Sequence, residues 1–444
     1  MTSCRFIANE RAISEFVGIS FDTLLIDEAR GFPNLVFSGW VAAQHKVVLS
    51  IVFRVELSIN VSKVEFERPD VVSAFPDYNI PLISGFNGAV SLVGLGTKFR
   101  ISVGVVTRSV IDEKEDRVNI GYIHGEQDRF FTELKTAPQI RPVLVTANGR
   151  SGTTYMMRLI SAHPQIAVET SYPMETRLAA HYAKVAKINS EQNLYRDSKL
   201  NEQFKDIDRG QTALYPNPYF NYEYLQNKKD NLINRNIVSR LADANAFCAV
   251  SSIDTIYTEI AAKQFKGGAR YFVEKSRPSF IPDLVQEIYG DFCKEIVLVR
   301  DPRDAHASAL AFNERRKTKD FGANNAKDAH DFIDIRKELF SNVIDGWRRR
   351  KETSFFVRYE NLIEDTFGTL SGILRYLDVD NSPAVMAMMI ETANAETSEI
   401  KNHKTSESSK DSIGRWRRDL EPSLARYASE LMEADLLEAG YPLD

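Results

Sequence analysis

The chain is short of the residues that staple a fold, ligate a metal or bury in a bilayer. Its three cysteines, Cys4, Cys248 and Cys293, stand far apart in 444 residues and at no metal-ligand spacing. A disulfide framework is therefore not expected, no metal is expected, and a reducing, cytoplasmic location suits the thiols. No run approaches the roughly 18 uninterrupted apolar residues that a spanning helix needs, so no membrane span is expected. The first residues, MTSCRFIANERAISEF, lack the continuous apolar stretch of a secretory signal. Positive charge is not in excess either: 56 Lys and Arg face 61 Asp and Glu, a formal net charge of −5. A nucleic-acid partner is not expected, because a basic surface supplies most of such affinity. Any anionic ligand has to be caught by local charge. Internal repeats, low-complexity tracts and heptad arrays are also missing.

What is present reads as a soluble globular chain long enough for two domains. Up to about residue 130 the sequence carries short β-rich runs, among them KVVLSIVFRVELSI, VSKVEFERP, AVSLVGLG and KFRISVGVV. FPDYN and SGFNG between them read as turns, and the whole as an all-β, sandwich-like antiparallel domain over residues 1–133. TELKTAPQIRP supplies a linker, set at residues 134–142. From residue 143 to 444 the apolar runs PVLVTA, RYFVEK, EIVLVR and SFFVRYENL alternate with long amphipathic stretches. That alternation predicts an α/β domain, a parallel sheet flanked by helices.

The first of those strands runs into ANGRSGTTYMMRLISAHP. Gly149 and Gly152 permit a tight turn, and the backbone N–H groups around Ser151, Gly152, Thr153 and Thr154 converge where a helix begins. A helix N-terminus carries unpaired donors and partial positive charge, so it favours an anion. Arg150 adds a planar fork suited to phosphate or sulfate oxygens. The nucleoside-triphosphatase loop does not fit, because Thr153 stands where its lysine would be. A second strand, in EIVLVRDPRDAHASALAF, ends on Arg300, and the C-terminal ends of strands face the crevice where open α/β sheets bind ligands. Ser308 follows within the next helix and adds a hydroxyl.

GRSGTT followed by VRDPRDAHAS resembles the sulfotransferases that use 3′-phosphoadenosine 5′-phosphosulfate (PAPS). The resemblance implies the P-loop-type sulfotransferase fold for residues 143–444. It implies that the first motif holds the 5′-phosphosulfate and that Arg300 and Ser308 hold the 3′-phosphate. SIGRWRRDL, with Gly414, Arg415 and Trp416, resembles the family's C-terminal basic segment that closes over the nucleotide. Around it Lys401, Lys404, Lys410, Arg415, Arg417 and Arg418 outnumber Glu407 and Asp411, a local excess suited to covering a polyanion.

Sulfuryl transfer asks for a base, a cation between donor and acceptor, and neutralisation of the donor. VETSYPMETR offers two carboxylates, Glu169 and Glu175. The HP…ETR order resembles the carbohydrate and tyrosylprotein sulfotransferases, whose glutamate acts as base. Glu175-Thr176-Arg177 fits that order, but the segment from His163-Pro164 is longer than in the family, so Glu169 stays a rival. Lys275, in YFVEKSRPSF, resembles the lysine that steadies the leaving phosphate, and Arg150 neutralises the phosphosulfate. Among the histidines, His163 is expected to shape a turn, His306 to face the helix exterior, and His181 to be an outside candidate for the base.

The acceptor is legible only as a hydroxyl. LYPNPYFNYEYLQNKKDN, rich in aromatics and amides, suits a sugar, a peptide or a plain helical core. A faint resemblance of the N-terminal domain to accessory domains of bacterial surface-polysaccharide enzymes tilts the reading to a glycan. Protein or small-molecule acceptors remain open. So does a different class, a non-catalytic glycan-binding or adaptor protein on a nucleotide-binding fold.

Overall fold

The structure is a computed structural model, and it describes residues 3–27, 33–43, 46–55, 58–110, 113–171, 174–190, 231–395 and 409–444. The chain divides into two compact units, Met1–Glu133 with Lys184–Cys248, and Leu134–Ala183 with Ala249–Asp444.

The first unit is built on antiparallel strands: β1 (Ser3–Ala8), β2 (Phe16–Asp27), β3 (Asn34–Ala43), β4 (Lys46–Val55), β5 (Ser58–Lys63), β6 (Phe66–Glu67), β7 (Ile83–Ser91), β8 (Lys98–Ser109) and β9 (Glu115–Glu126). They form one sheet in the order β1-β9-β8-β4-β5 and another in the order β2-β3-β7-β6. The two faces meet through aromatic rings. Phe53 of the first sheet lies 4.0 Å from Phe37 of the second, and Phe21 and Phe86 of the second lie 5.5 Å apart. Along β8 the alternate residues Phe99, Ile101, Val103 and Val105 are buried, as a one-faced sheet requires. This is the antiparallel β domain expected ahead of the α/β part.

SGFNG is not the turn expected from its composition, for it lies inside β7. Its glycines serve close approach instead. A Cβ on Gly88 would come within 2.8 Å of the Phe37 ring, and one on Gly85 within 3.0 Å of the Phe66 Cβ. Glycine in a strand interior often marks such contact.

The second unit carries β10 (Arg141–Thr146), β11 (Ile166–Val168), β12 (Tyr271–Ser276), β13 (Lys294–Val299) and β14 (Ser354–Arg358). All pair in parallel, in the order β11-β12-β10-β13-β14. β10 starts at Arg141, inside the stretch expected to be a linker. The strands are apolar runs because both faces are covered. Ile296 and Leu298 pack with Met156, Ile160 and Ile373 on one face, while Val297 and Val299 pack with Phe340, Ile344 and Leu436 on the other. One buried polar knot ties the layers: Arg350 donates to Asp283 (2.8 Å) and to Glu295 (2.7 Å), and Thr146 donates to Glu295 (2.6 Å). β10 sits at the point where the strand order reverses, so its C-terminal end opens onto the crevice such sheets use for ligands. Among the described residues no helix is long and apolar enough to cross a membrane.

Candidate active site

The loop after β10 is pinned to the neighbouring strand, with Ala147 N–H donating to the Ser276 carbonyl (3.1 Å). Arg150 (φ +72°) and Gly152 (φ +84°) both take left-handed backbone, which turns the chain sharply into the helix Thr153–Ser161. Only glycine fits at 149 and 152. A Cβ there would reach within 2.6 Å of the Phe321 ring and 2.3 Å of the Tyr359 ring. No side chain caps the helix start, so the amides of its first turn are open to a ligand. Ser151 is buried beneath the loop.

The two motifs meet at one contact. Arg150 Nε donates to Ser308 Oγ at 3.1 Å, and Ser308 is buried on the helix Pro302–Arg316. Arg300, at the end of β13, donates to the Arg150 carbonyl (3.1 Å) and the Ser412 carbonyl (2.5 Å). Its guanidinium stacks on Tyr359, 4.7 Å from the ring centre, and the Tyr359 hydroxyl lies 3.1 Å from Ser412 Oγ. The C-terminal segment is thereby brought to the same sheet end.

Asp304 fastens that segment further. Its carboxylate accepts the N–H of Gly414 (2.7 Å) and of Trp416 (2.9 Å), and burial, with Asp301 nearby, pushes its carboxyl up to about 6. Gly414 takes φ +68°. Trp416 is buried against Ala307, Leu420 and Ala425, with Arg303 stacked 4.0 Å from its ring. Arg415 pairs with Asp419 at 2.7 Å. Lys401, Lys404, Glu407 and residues 214–230 lie outside the described residues.

Glu175 lies beside Lys275, Oε1 to Nζ 3.6 Å, and its other oxygen accepts from Arg177 at 2.6 Å. Lys275 is buried near the C-terminal end of β12; loss of solvent pulls its ammonium pKa down, partly offset by Glu175. Glu169 folds back on its own turn, accepting the Ser171 N–H at 2.8 Å, which lowers its carboxyl. The carboxylate held against Lys275 is thus Glu175, not Glu169.

The histidines sort by burial. His163 accepts the Gln165 N–H at Nδ1 (3.0 Å) and donates from Nε2 to the Asp380 carbonyl (2.8 Å), a structural turn as expected. His306 does not face the helix exterior: it is buried, 4.6 Å from the Phe332 ring, and burial beside Arg336 pushes it down to about 4. His181 is exposed.

Three residues enter that the motifs did not flag. Asp304 lies inside the quoted RDPRDAHAS. Glu274 accepts the N–H groups of Leu178 (2.8 Å) and Ala179 (3.0 Å), capping the helix that follows Arg177. Arg336 is buried on the helix Ala329–Arg349 and donates to the Gly149 carbonyl at 3.2 Å. Its signal in the sequence is a charge on an apolar stripe, between Phe332 and Phe340.

A glycine loop feeding a helix at the reversal point of a parallel sheet, with an arginine at the next strand end, defines an α/β protein that holds a phosphate-type anion. Residues 142–384, more than half of the chain, match the sulfotransferase family, and the chain belongs to it. Similar solved structures include the sulfotransferase domain from the curacin biosynthetic pathway, 14% identical with a TM-score of 0.39 over 70% of this chain and 100% of that one. The sulfotransferase STF9 from Mycobacterium avium is 16% identical with a TM-score of 0.35, over 69% of this chain and 78% of that one. Retinol dehydratase, solved with androsterone and the inactive cofactor PAP, is 16% identical with a TM-score of 0.35, over 79% and 93%. No curated protein matches the chain.

Proposed function

We propose that the chain moves a sulfuryl group from PAPS to an acceptor hydroxyl, with a glycan as the acceptor class. The observation that carries this reading, beside family membership, is the contact between Arg150 and Ser308 next to Arg300. The residues fit a polyanion: the Nε groups of Arg300 and Arg336 are buried and meet no acceptor among the described residues. Buried donors of that kind call for a partner.

In this reading the loop amides of Ser151, Gly152, Thr153 and Thr154, with Gly149 giving them room, hold the 5′-phosphosulfate, and Arg150 neutralises it. Arg300 and Ser308 take the 3′-phosphate, while Gly414, Arg415 and Trp416 belong to the segment closing over the nucleotide. PAPS, when bound, supplies an activated sulfur: the acceptor oxygen bonds to it as the sulfur–phosphate oxygen bond breaks and PAP is released. Glu175 takes the acceptor's proton, because a sugar hydroxyl ionises far above neutral pH. Lys275 offsets the charge that grows on the leaving oxygen, a role suited to a compact ammonium. The motifs assigned to the donor call for no metal. We assign the domain expected at residues 143–444 to transfer, residues 1–133 to an accessory role, and the stretch 134–142, as far as the start of β10 at Arg141, to the join. The glycan assignment rests on the Glu175-Thr176-Arg177 order and on the N-terminal domain.

Calorimetry with PAP, ATP and GTP, without and then with magnesium, tests the reading. PAP alone is expected to bind, and without metal. Magnesium-dependent binding of ATP or GTP in its place overturns it.

A further inference from the structure

Arg336 sits where the helix Ala329–Arg349 presents an apolar stripe, between Phe332 and Phe340, and is 4% exposed. Among the described residues its one hydrogen bond goes to the Gly149 carbonyl, its Nε meets no acceptor, and it forms no ion pair. Arg300 is only partly in the same condition: its Nε is unpartnered and its other nitrogens reach only carbonyls, but Asp304 lies near enough to act on its charge. The two arginines line one small cavity, together with Asn148, Ser151 and Pro302 and with apolar residues of β13 and the helix Ala329–Arg349. Carboxylates at the start of the helix Pro302–Arg316 are committed elsewhere. Asp301 pairs with Arg303 at 2.7 Å, and Asp304 accepts the Gly414 and Trp416 amides. His306, beside Arg336, is held neutral by burial.

Charge buried without a counter-ion is costly, and like charges close by add to the cost. Burial and the proximity of Arg150 and Arg300 push Arg336 down to about 10. A phosphate-bearing ligand at the loop would reverse each of these penalties. The geometry points to Arg336 as a third guanidinium of the donor's anion site, its buried charge compensated by the phosphates of the bound nucleotide rather than by a side chain. This rests on the function proposed above and adds to it: part of the donor affinity is stored as electrostatic strain in the empty protein.

Arg336→Gln keeps an amide donor for the Gly149 carbonyl and removes the charge. Thermal unfolding without ligand and calorimetric titration with PAP are read on the full chain. The variant is expected to unfold at the same or a higher temperature when empty, and to bind PAP at least tenfold more weakly. A lower empty unfolding temperature with unchanged PAP affinity overturns the proposal and leaves Arg336 as a prop for Gly149. Should the Gln variant fail to fold, Arg336→Lys decides. It keeps the charge and loses the fork, so the proposal expects PAP affinity to fall several-fold while the empty protein stays as stable as wild type, and unchanged PAP affinity overturns it. If wild type binds no PAP, the functional reading is what fails. Inorganic phosphate is then the probe: it should raise the unfolding temperature of wild type more than that of Arg336→Gln, and equal rises overturn the proposal.

Discussion

Arg150 Nε and Ser308 Oγ lie 3.1 Å apart, although the two residues come from different motifs and different helix-bearing loops. The bond joins the loop after β10 to the helix after β13, and Arg300 closes the triangle by donating to the Arg150 carbonyl. The two elements proposed to bind the donor's anions thus form one continuous surface, and such preorganisation is what electrostatic catalysis requires.

Arg300→Ala is expected to weaken PAP strongly and adenosine 5′-phosphate hardly at all, since the latter lacks the 3′-phosphate. Calorimetry with both ligands measures the difference. Equal losses would mean that Arg300 serves the loop through its carbonyl contacts and not the 3′-phosphate.

Lys275→Ala is expected to lower turnover by about a hundredfold or more, the usual scale for one preorganised contact, with much less effect on PAP affinity. Turnover within a few-fold of wild type would reduce Lys275 to a structural partner of Glu175.

Asp304→Ala removes the acceptor for two backbone N–H groups. The Trp416 donor is buried and the Gly414 donor partly so; a buried donor left unpaired costs on the order of 1–3 kcal/mol, so the segment around Gly414 and Trp416 should loosen. Faster tryptic cleavage at Arg415–Arg418 and about tenfold weaker PAP binding are expected. Unchanged cleavage would show that Trp416 packing alone holds the segment.

Glu274 gives a pH signature. Burial pushes its carboxyl up to about 7 from an ordinary 4.5, so the folded state holds the proton more tightly than the unfolded one. Its contribution to stability is full below pH ~4.5 and is lost as pH rises through about 7. Glu274→Gln cannot titrate, so its stability relative to wild type should increase between those limits. Thermal unfolding across that range measures it, and a pH-independent difference would contradict the assignment.

Much of the fold could be read in the sequence because β10, β12 and β13 are buried on both faces and so appear as unbroken apolar runs. The glycine loop was equally legible, since Gly149 and Gly152 stand against rings that exclude any Cβ. SGFNG misled for the same physical reason in reverse: glycines read as a turn were clearing space for Phe37. The described residues Lys184–Ser190 and Asn231–Cys248, assigned by sequence to the second domain, group with the first unit, and nothing in local composition marks that exchange. Arg336 and Glu274 were opaque as well. Each acts through contacts with residues distant in sequence, Gly149 for the one and Leu178 with Ala179 for the other.

The decisive measurement is transfer of labelled sulfur from PAPS to a panel of hydroxylated glycans, by wild type and by Glu175→Gln, with a chelator present. The Gln side chain keeps the size of Glu175 and removes its basic oxygen. Wild type is expected to transfer, and Glu175→Gln not at all although PAP still binds it normally, while Glu169→Gln loses much less. Activity retained in Glu175→Gln and lost in Glu169→Gln would move the base to Glu169. Failure of wild type to transfer sulfur to any hydroxyl would overturn sulfuryl transfer as the activity of this chain.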